Sequence, residues 1–312
     1  MLDDLGIIPV KIDLPFRLNH VNCFLAEGSG GWTVIDTGLH NKKTAELWDE
    51  QLKGKRVTDI IITHYHPDHY GYAGGLQRKT GAQVSMSEID ARDGSASWEK
   101  GSIRNIQENY ALCGIPYETA QQMIGNTQGF YKSITPYPEV NHYLQEGEKI
   151  PFGLFEYEVI FTPGHSDGLV TFYNKDKNVL LSTDHILPKI TPNIAYWFHG
   201  DENPLASYLN SLKKVRKLNA DFVIPSHGQP FYGANDRIDK IIQHHDARLE
   251  KTLDCIKNGA TIFEACQGLF RRDLNIHETR FALGETLAHL EYLRYDKQCQ
   301  REILSGKWWY FL

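Results

Sequence analysis

Short apolar runs, each closed by a cluster of polar or turn-forming residues, set the rhythm of the chain. Residues 7–14 and 22–27 read as strands, Gly28-Ser29-Gly30-Gly31 as a hairpin turn and residues 32–36 as the returning strand. Helices are predicted over 41–54 and 70–80, flanking the buried-strand run Ile60-Ile61-Ile62-Thr63, and residues 83–86 form one more short strand. The same texture resumes later. Residues 155–161 alternate apolar and polar, 178–184 and 221–228 are apolar runs, and 205–218 is helical. Strands interleaved with helices place the chain in the α/β class.

Two stretches break this rhythm. Residues 87–143 exceed a connecting loop in length and are helical in tendency, with Trp98, Ile103, Ile106 and Tyr110 at near-helical spacing. Pro116 opens a second helix there, carrying Met123, Ile124, Phe130 and Tyr131. This segment is a helical insertion and a candidate lid, whose aromatic side chains would offer an apolar wall to a substrate. Residues 235–312 predict three helices, over 236–258, 261–270 and 277–297, and a hairpin about Ser305-Gly306, the order of a winged-helix-like module. The expected division is a catalytic unit over 1–234 and a helical domain over 235–312.

Chemistry concentrates where apolar runs end. His64-Tyr65-His66-Pro67-Asp68-His69 packs four metal-binding side chains into six residues directly after a buried strand. Further donors close the later runs: His165 after 155–161, Asp184 after 178–183, and His227 after 221–226. Imidazole and carboxylate without thiolate suit Zn²⁺ and related first-row ions, and such a set leaves coordination positions for water, which marks catalysis rather than structure.

These motifs, in this order, resemble the metallo-β-lactamase-fold hydrolases and are close in pattern to the glyoxalase II branch. The resemblance covers roughly residues 8–232. It implies a four-layer αββα sandwich with His64, His66 and His165 on one metal, Asp68, His69 and His227 on a second, and Asp184 between them. It further implies two divalent ions, with Zn²⁺ the default and Fe or Mn also suited to the donors. Asp36, at the end of the third strand, matches a supporting aspartate of the family that is not itself a ligand. Paired cations lower the pKa of a shared water from about 15.7 to about 7, so hydroxide is the expected nucleophile, with Asp68 orienting it and shuttling its proton. The helix at 285–293 and the hairpin after it are similar to the C-terminal module of lactamase-beta-2-like proteins.

Composition narrows the function. The chain carries a net charge of −6, and residues 236–312 hold 12 basic and 12 acidic side chains, so the winged-helix-like module has no electrostatic footprint for a phosphate backbone. The expected substrate is a small thioester, ester or lactone. A phosphodiesterase or RNA nuclease of the same fold is the enzymatic alternative, and a fold-derived binding protein the non-enzymatic one. The C-terminal module is expected to pack against the catalytic domain, shape the active-site mouth or mediate homodimer contacts. Five scattered cysteines without a Cys-x-x-Cys pair point to reduced thiols, and no apolar stretch is long enough to span a bilayer. A cytoplasmic location is expected. Tyr65, Tyr70, Tyr196 and Trp197 are candidate cleft residues, whereas His244, His245, His277 and His289 read as ordinary packing or surface histidines.

Overall fold

The computed structural model describes the chain except Ser29 and residues 97–99, and its account of side chains also leaves out the rest of residues 95–104. Trp98 thus lies outside the described residues, as does the side chain of Ile103. Two six-stranded sheets form the centre. The first runs in sequence order: β1 (Ile7–Asp13), β2 (His20–Glu27), β3 (Trp32–Ile35), β4 (Val57–Ile61), β5 (Gln83–Met86) and β6 (His142–Tyr143). Its opening hairpins are antiparallel, and β3 to β6 pair in parallel through helical crossovers. The helices of this half are α1 (Lys42–Gln51), α2 (Pro67–Tyr70) and α3 (Ala73–Thr80), followed by α4 (Glu88–Ala96), α5 (Lys100–Leu112) and α6 (Tyr117–Gly129) of the insertion. The second sheet comprises β7 (Lys149–Phe152), β8 (Phe155–Phe161), β9 (Val170–Asn174), β10 (Val179–Thr183), β11 (Phe222–Pro225) and β12 (Phe231–Tyr232), with α7 (Pro204–Arg216) in the crossover from β10 to β11.

The continuous apolar runs are explained by burial on both faces of each sheet. In β4, Ile60 turns outward to Trp48 of α1 and Leu76 of α3, while Ile61 turns inward to the cluster between the sheets. In β10, Leu181 joins that inner cluster with Phe24, Phe152 and Phe172, while Leu180 faces outward to Leu205, Tyr208 and Leu212 of α7. The layers are therefore helix, sheet, sheet, helix, the expected αββα sandwich.

The predicted helix over 70–80 is broken: α2 ends at Tyr70, and α3 starts at Ala73. At the break the Tyr72 N–H bonds to the Gly38 carbonyl (2.8 Å) instead of continuing the helix, and only glycine fits at position 71, where a Cβ would lie 2.5 Å from the Ser133 carbonyl oxygen.

Beyond the sandwich come α8 (Ala234–Ile256), β13 (Ala260–Thr261), α9 (Ile262–Leu269), α10 (Ile276–Tyr295) and the hairpin β14 (Gln300–Leu304) and β15 (Lys307–Phe311). β13 pairs with β15, which gives the winged-helix-like order of helix, strand, helix, helix and wing. Full capping boxes start α9 at Thr261 and α10 at Asn275. Ser305 and Gly306, both at positive φ, make the tight turn of the wing. The insertion helices pack chiefly on this module: Tyr110, Cys113, Met123 and Ile124 share one hydrophobic cluster with Ile262, Leu283, Leu287 and Tyr310.

Candidate metal centre

All seven donors predicted from the strand ends meet at one edge of the sandwich. Three groups form, His64/His66/His165, His64/His69/Asp184 and Asp68/His69/His227, each with its donor atoms within 4.8 Å of one another. The local backbone explains how a six-residue motif serves all three groups. His66 is extended at the N-cap of α2, Pro67 starts the helix, and Asp68 and His69 turn back on its first turn. His165 follows Gly164, where a Cβ would meet the Tyr208 backbone at 2.6 Å, so only glycine lets this loop approach α7. Asp184 is delivered by a register shift at the end of β10, with Thr183 at φ 49°. Asn22 holds the His227 loop to β2 by donating to the carbonyls of Pro225 and Gly228 at 3.1 and 2.8 Å.

Asp184 sits centrally. Its Oδ2 lies 3.3, 3.6 and 3.4 Å from Nε2 of His165, His69 and His227. Asp68 Oδ2 lies 3.7 and 3.5 Å from Nε2 of His69 and His227. Four of the five imidazoles have their far nitrogen bound: His64 Nδ1 to Thr63 Oγ1 (3.0 Å), His69 Nδ1 to Asp36 (2.8 Å), His165 Nδ1 to the Asn193 carbonyl (2.8 Å) and His227 Nδ1 to the His20 carbonyl (2.7 Å). Each far nitrogen donates its proton outward and aims Nε2 into the cluster, where it can take an ion or, in the metal-free protein, a proton. His66 instead directs Nδ1 inward, 2.9 Å from His165 Nε2.

Fit to a cation can be judged from what these atoms lack. His64 Nε2, His69 Nε2, His227 Nε2 and Asp184 Oδ1 are buried without any hydrogen-bond partner. Buried polar atoms left bare are costly, and four around one point need an occupant that accepts lone pairs. The electrostatics agree. Burial, then neighbouring imidazoles, holds His64 and His66 well below the usual histidine range, which keeps them neutral as ligands must be. Burial would also lower His69 and His227, but Asp184 and Asp68 outweigh it and raise both. Asp184, although buried, is held well below the usual carboxylate range by His227 and His69.

Asp36 carries the supporting contacts expected of it. Its Oδ1 accepts the Thr63 N–H, and its Oδ2 accepts the Thr63 hydroxyl and His69 Nδ1–H, all at 2.8–2.9 Å. It adopts φ 57°, which aspartate tolerates better than most residues.

Residues 17–227 match the family model described as Metallo-beta-lactamase superfamily. The chain belongs to that superfamily. Residues 249–311 match the model described as Metallo-beta-lactamase-like, C-terminal domain. The Bacillus subtilis (strain 168) protein "Probable metallo-hydrolase YqjP" is 26% identical over 310 residues, 93% of each chain. A metallo-beta-lactamase family protein from Thermus thermophilus has a crystal structure similar to this fold at TM-score 0.85 and 31% identity, over 98% of both chains. The human protein "Acyl-coenzyme A thioesterase MBLAC2" is 27% identical over 176 residues, 53% of this chain and 58% of its own.

In this metallo-beta-lactamase fold the donor cluster floors a cavity of about 900 Å³. Ile106, Tyr110 and Phe130 of the insertion line it, and so do Tyr196 and Trp197 from the loop after β10. Tyr65 also reaches the cavity, whereas Tyr70 is buried in the outer core of the first sheet and Tyr131 is 50% exposed away from it. His277 packs as expected, ring on ring with Phe16 at 4.9 Å, but does so on the cavity wall.

Asp90 escaped the sequence reading because a single acid on a helix looks solvated. It is buried in α4 and accepts from Tyr65 N–H (3.1 Å), Ser166 Oγ (2.7 Å) and Gly168 N–H (2.7 Å), clamping the His64–His66 loop to the His165 loop. Burial pushes its carboxyl up to about 7 against those three bonds. The only signal in the sequence was the proximity of Ser87, whose hydroxyl accepts the Asp90 N–H.

Proposed function

We propose that the chain is a dinuclear metal-dependent hydrolase of a small acyl substrate, a thioester, ester or lactone. The observation that carries this reading is the set of bare, buried donor atoms at the floor of an aromatic-walled cavity. One divalent ion would be held by His64, His66 and His165 and a second by Asp68, His69 and His227, with Asp184 between them. When bound, the pair supplies an acidified water and a Lewis acid for the acyl oxygen. Zn²⁺ is the default, and Fe or Mn suit the same donors.

The chain's own groups account for the rest. Asp68 is the acid of the cluster that opens most to the cavity, with 20% of its side chain exposed, whereas Asp184 is 7% exposed. Asp68 therefore takes the proton of the attacking water as the carbon–oxygen bond forms, and returns it to the thiolate or alkoxide as the carbon–sulfur or carbon–oxygen bond breaks. The apolar wall shields this exchange from bulk water and binds the acyl body by area and shape. An acyl substrate also accords with the similarity to the human acyl-coenzyme A thioesterase over half of the chain.

The test is a metal-reconstituted panel of acyl thioesters, lactones, aryl esters and bis(p-nitrophenyl) phosphate, run with wild type and Asp68→Ala. Acyl compounds should be the best substrates, and Asp68→Ala should lose at least about 10²-fold in kcat with its fold retained. Preference for the phosphodiester, or a folded Asp68→Ala that keeps most of its turnover, would overturn the reading.

A further inference from the structure

One cation in the cavity has no task in the hydrolysis described above. Arg280 projects from α10 onto the cavity wall, its guanidinium 5.2 Å from the Trp197 ring centroid and 4.8 Å from that of Phe281. Its Nε is sealed from solvent with no hydrogen-bond partner. Among the described residues no carboxylate pairs with it, because the acids of its own helix are engaged elsewhere. Glu278 pairs with Arg272 and Arg17, Glu285 with Arg248, and Glu291 with Arg294 and Arg301.

That isolation is unusual for a guanidinium. Ring faces offset part of the cost of desolvating a cation, but they satisfy none of its five N–H donors. Burial accordingly depresses the Arg280 pKa. Arginine away from bulk water is ordinarily paired with an acceptor that can use its planar fork, a carboxylate or another oxyanion. Here the protein supplies none, and Arg280 lines the same cavity as Asp68 and Asp184. The neighbours add shape. Trp197 and Phe281 stand edge to face at 5.7 Å, and Tyr110 lines the cavity too, so an anion at Arg280 would carry an apolar body along aromatic walls.

We propose that Arg280 is the receptor for an oxyanion on the substrate, so that the preferred acyl compounds carry a carboxylate or similar monoanion beside an apolar body. The word substrate rests on the hydrolase reading; the anion site does not.

Binding separates the two claims, because it needs no turnover. Full-length protein as purified is titrated with 4-phenylbutyrate, its carboxamide and 3-phenylpropylphosphonate, followed by tryptophan fluorescence, in wild type, Arg280→Lys and Arg280→Met. Wild type should bind the carboxylate about 10- to 100-fold more tightly than the amide, as loss of a hydrogen bond to a charged group implies. That ratio should shrink in Arg280→Lys and collapse towards one in Arg280→Met, and the phosphonate arm ranks the two oxyanions. A wild-type ratio near one overturns the proposal. So does a ratio that survives in Arg280→Met, which would place the anion at the donor cluster instead. Should Arg280→Met fail to fold, the wild-type ratio and its fall in Arg280→Lys decide. If the ratio behaves as expected while no acyl compound is hydrolysed, the anion site stands and the hydrolase reading falls.

Discussion

Replacing Asp36 by Asn tests the support of the donor cluster with little disturbance to the backbone, because Asn also tolerates the left-handed conformation that Asp36 adopts at φ 57°. In the variant, Oδ1 still accepts the Thr63 N–H. An amide NH₂ replaces Oδ2 and confronts two donors at once, the Thr63 hydroxyl and His69 Nδ1–H, at 2.9 and 2.8 Å. The hydroxyl can rotate. The imidazole can relieve the conflict only by moving its proton to Nε2, which removes the lone pair that faces Asp68 and Asp184. Loss of a hydrogen bond to a charged group costs about 1.5–3 kcal/mol. Substituting the partner that orients a metal-bound histidine lowers affinity about 10- to 100-fold, or about 1.4–2.7 kcal/mol, so the two routes agree. The ion at Asp68, His69 and His227 should therefore weaken by about 10- to 100-fold, and the ion at His64, His66 and His165 by less. Turnover should return at excess metal. Competitive titration against a chromophoric chelator, with metal content and melting temperature measured in parallel, reads this directly. Wild-type affinity at both positions, or equal weakening at both, would refute the reasoning.

Two further outcomes follow from the same geometry. His69 and His227 titrate above the usual 6.5, so their protonation stabilises the metal-free fold below pH 6.5, and that contribution is lost as pH rises through the raised values. Filling the Asp68/His69/His227 group should accordingly release up to two protons near neutrality and tighten as pH rises; calorimetry in buffers of different ionisation enthalpy measures this, and a heat independent of buffer would contradict it. Phe130→Ala removes a ring that packs on Phe16 and His277 at the cavity wall, and should raise KM for a long-chain acyl ester about tenfold while changing a short-chain ester less than about threefold, at unchanged metal content. An equal effect on both esters would remove Phe130 from substrate selection.

What was legible in the sequence was what short-range patterns carry. Ile60 and Ile61, or Leu180 and Leu181, face opposite layers, and that double burial made the strands visible as unbroken apolar runs. The donors were visible because each closes such a run. The gap between Tyr70 and Ala73 was not, because it turns on the Tyr72 N–H bonding to the Gly38 carbonyl, far away in sequence. Asp90 and Arg280 look like ordinary helix-surface charges in one dimension, and only tertiary contacts reveal that one clamps two loops and the other lacks a counter-ion. The apolar positions of α5 and α6 were evident, but their partners in α9 and α10 lie beyond the whole second sheet.

That shared cluster has a consequence for how the protein is made. Synthesis releases α5 and α6 long before α9, α10 and the wing, so Tyr110, Met123 and Ile124 wait without their final partners while the second sheet is translated. A ribosome stalled after His227 would yield a chain holding every predicted ligand but missing the α10 side of the cavity. Such a fragment would lack the α9 and α10 side chains that bury the insertion helices. The shared core is thus completed late, when Tyr310 joins a cluster begun two hundred residues earlier at Tyr110.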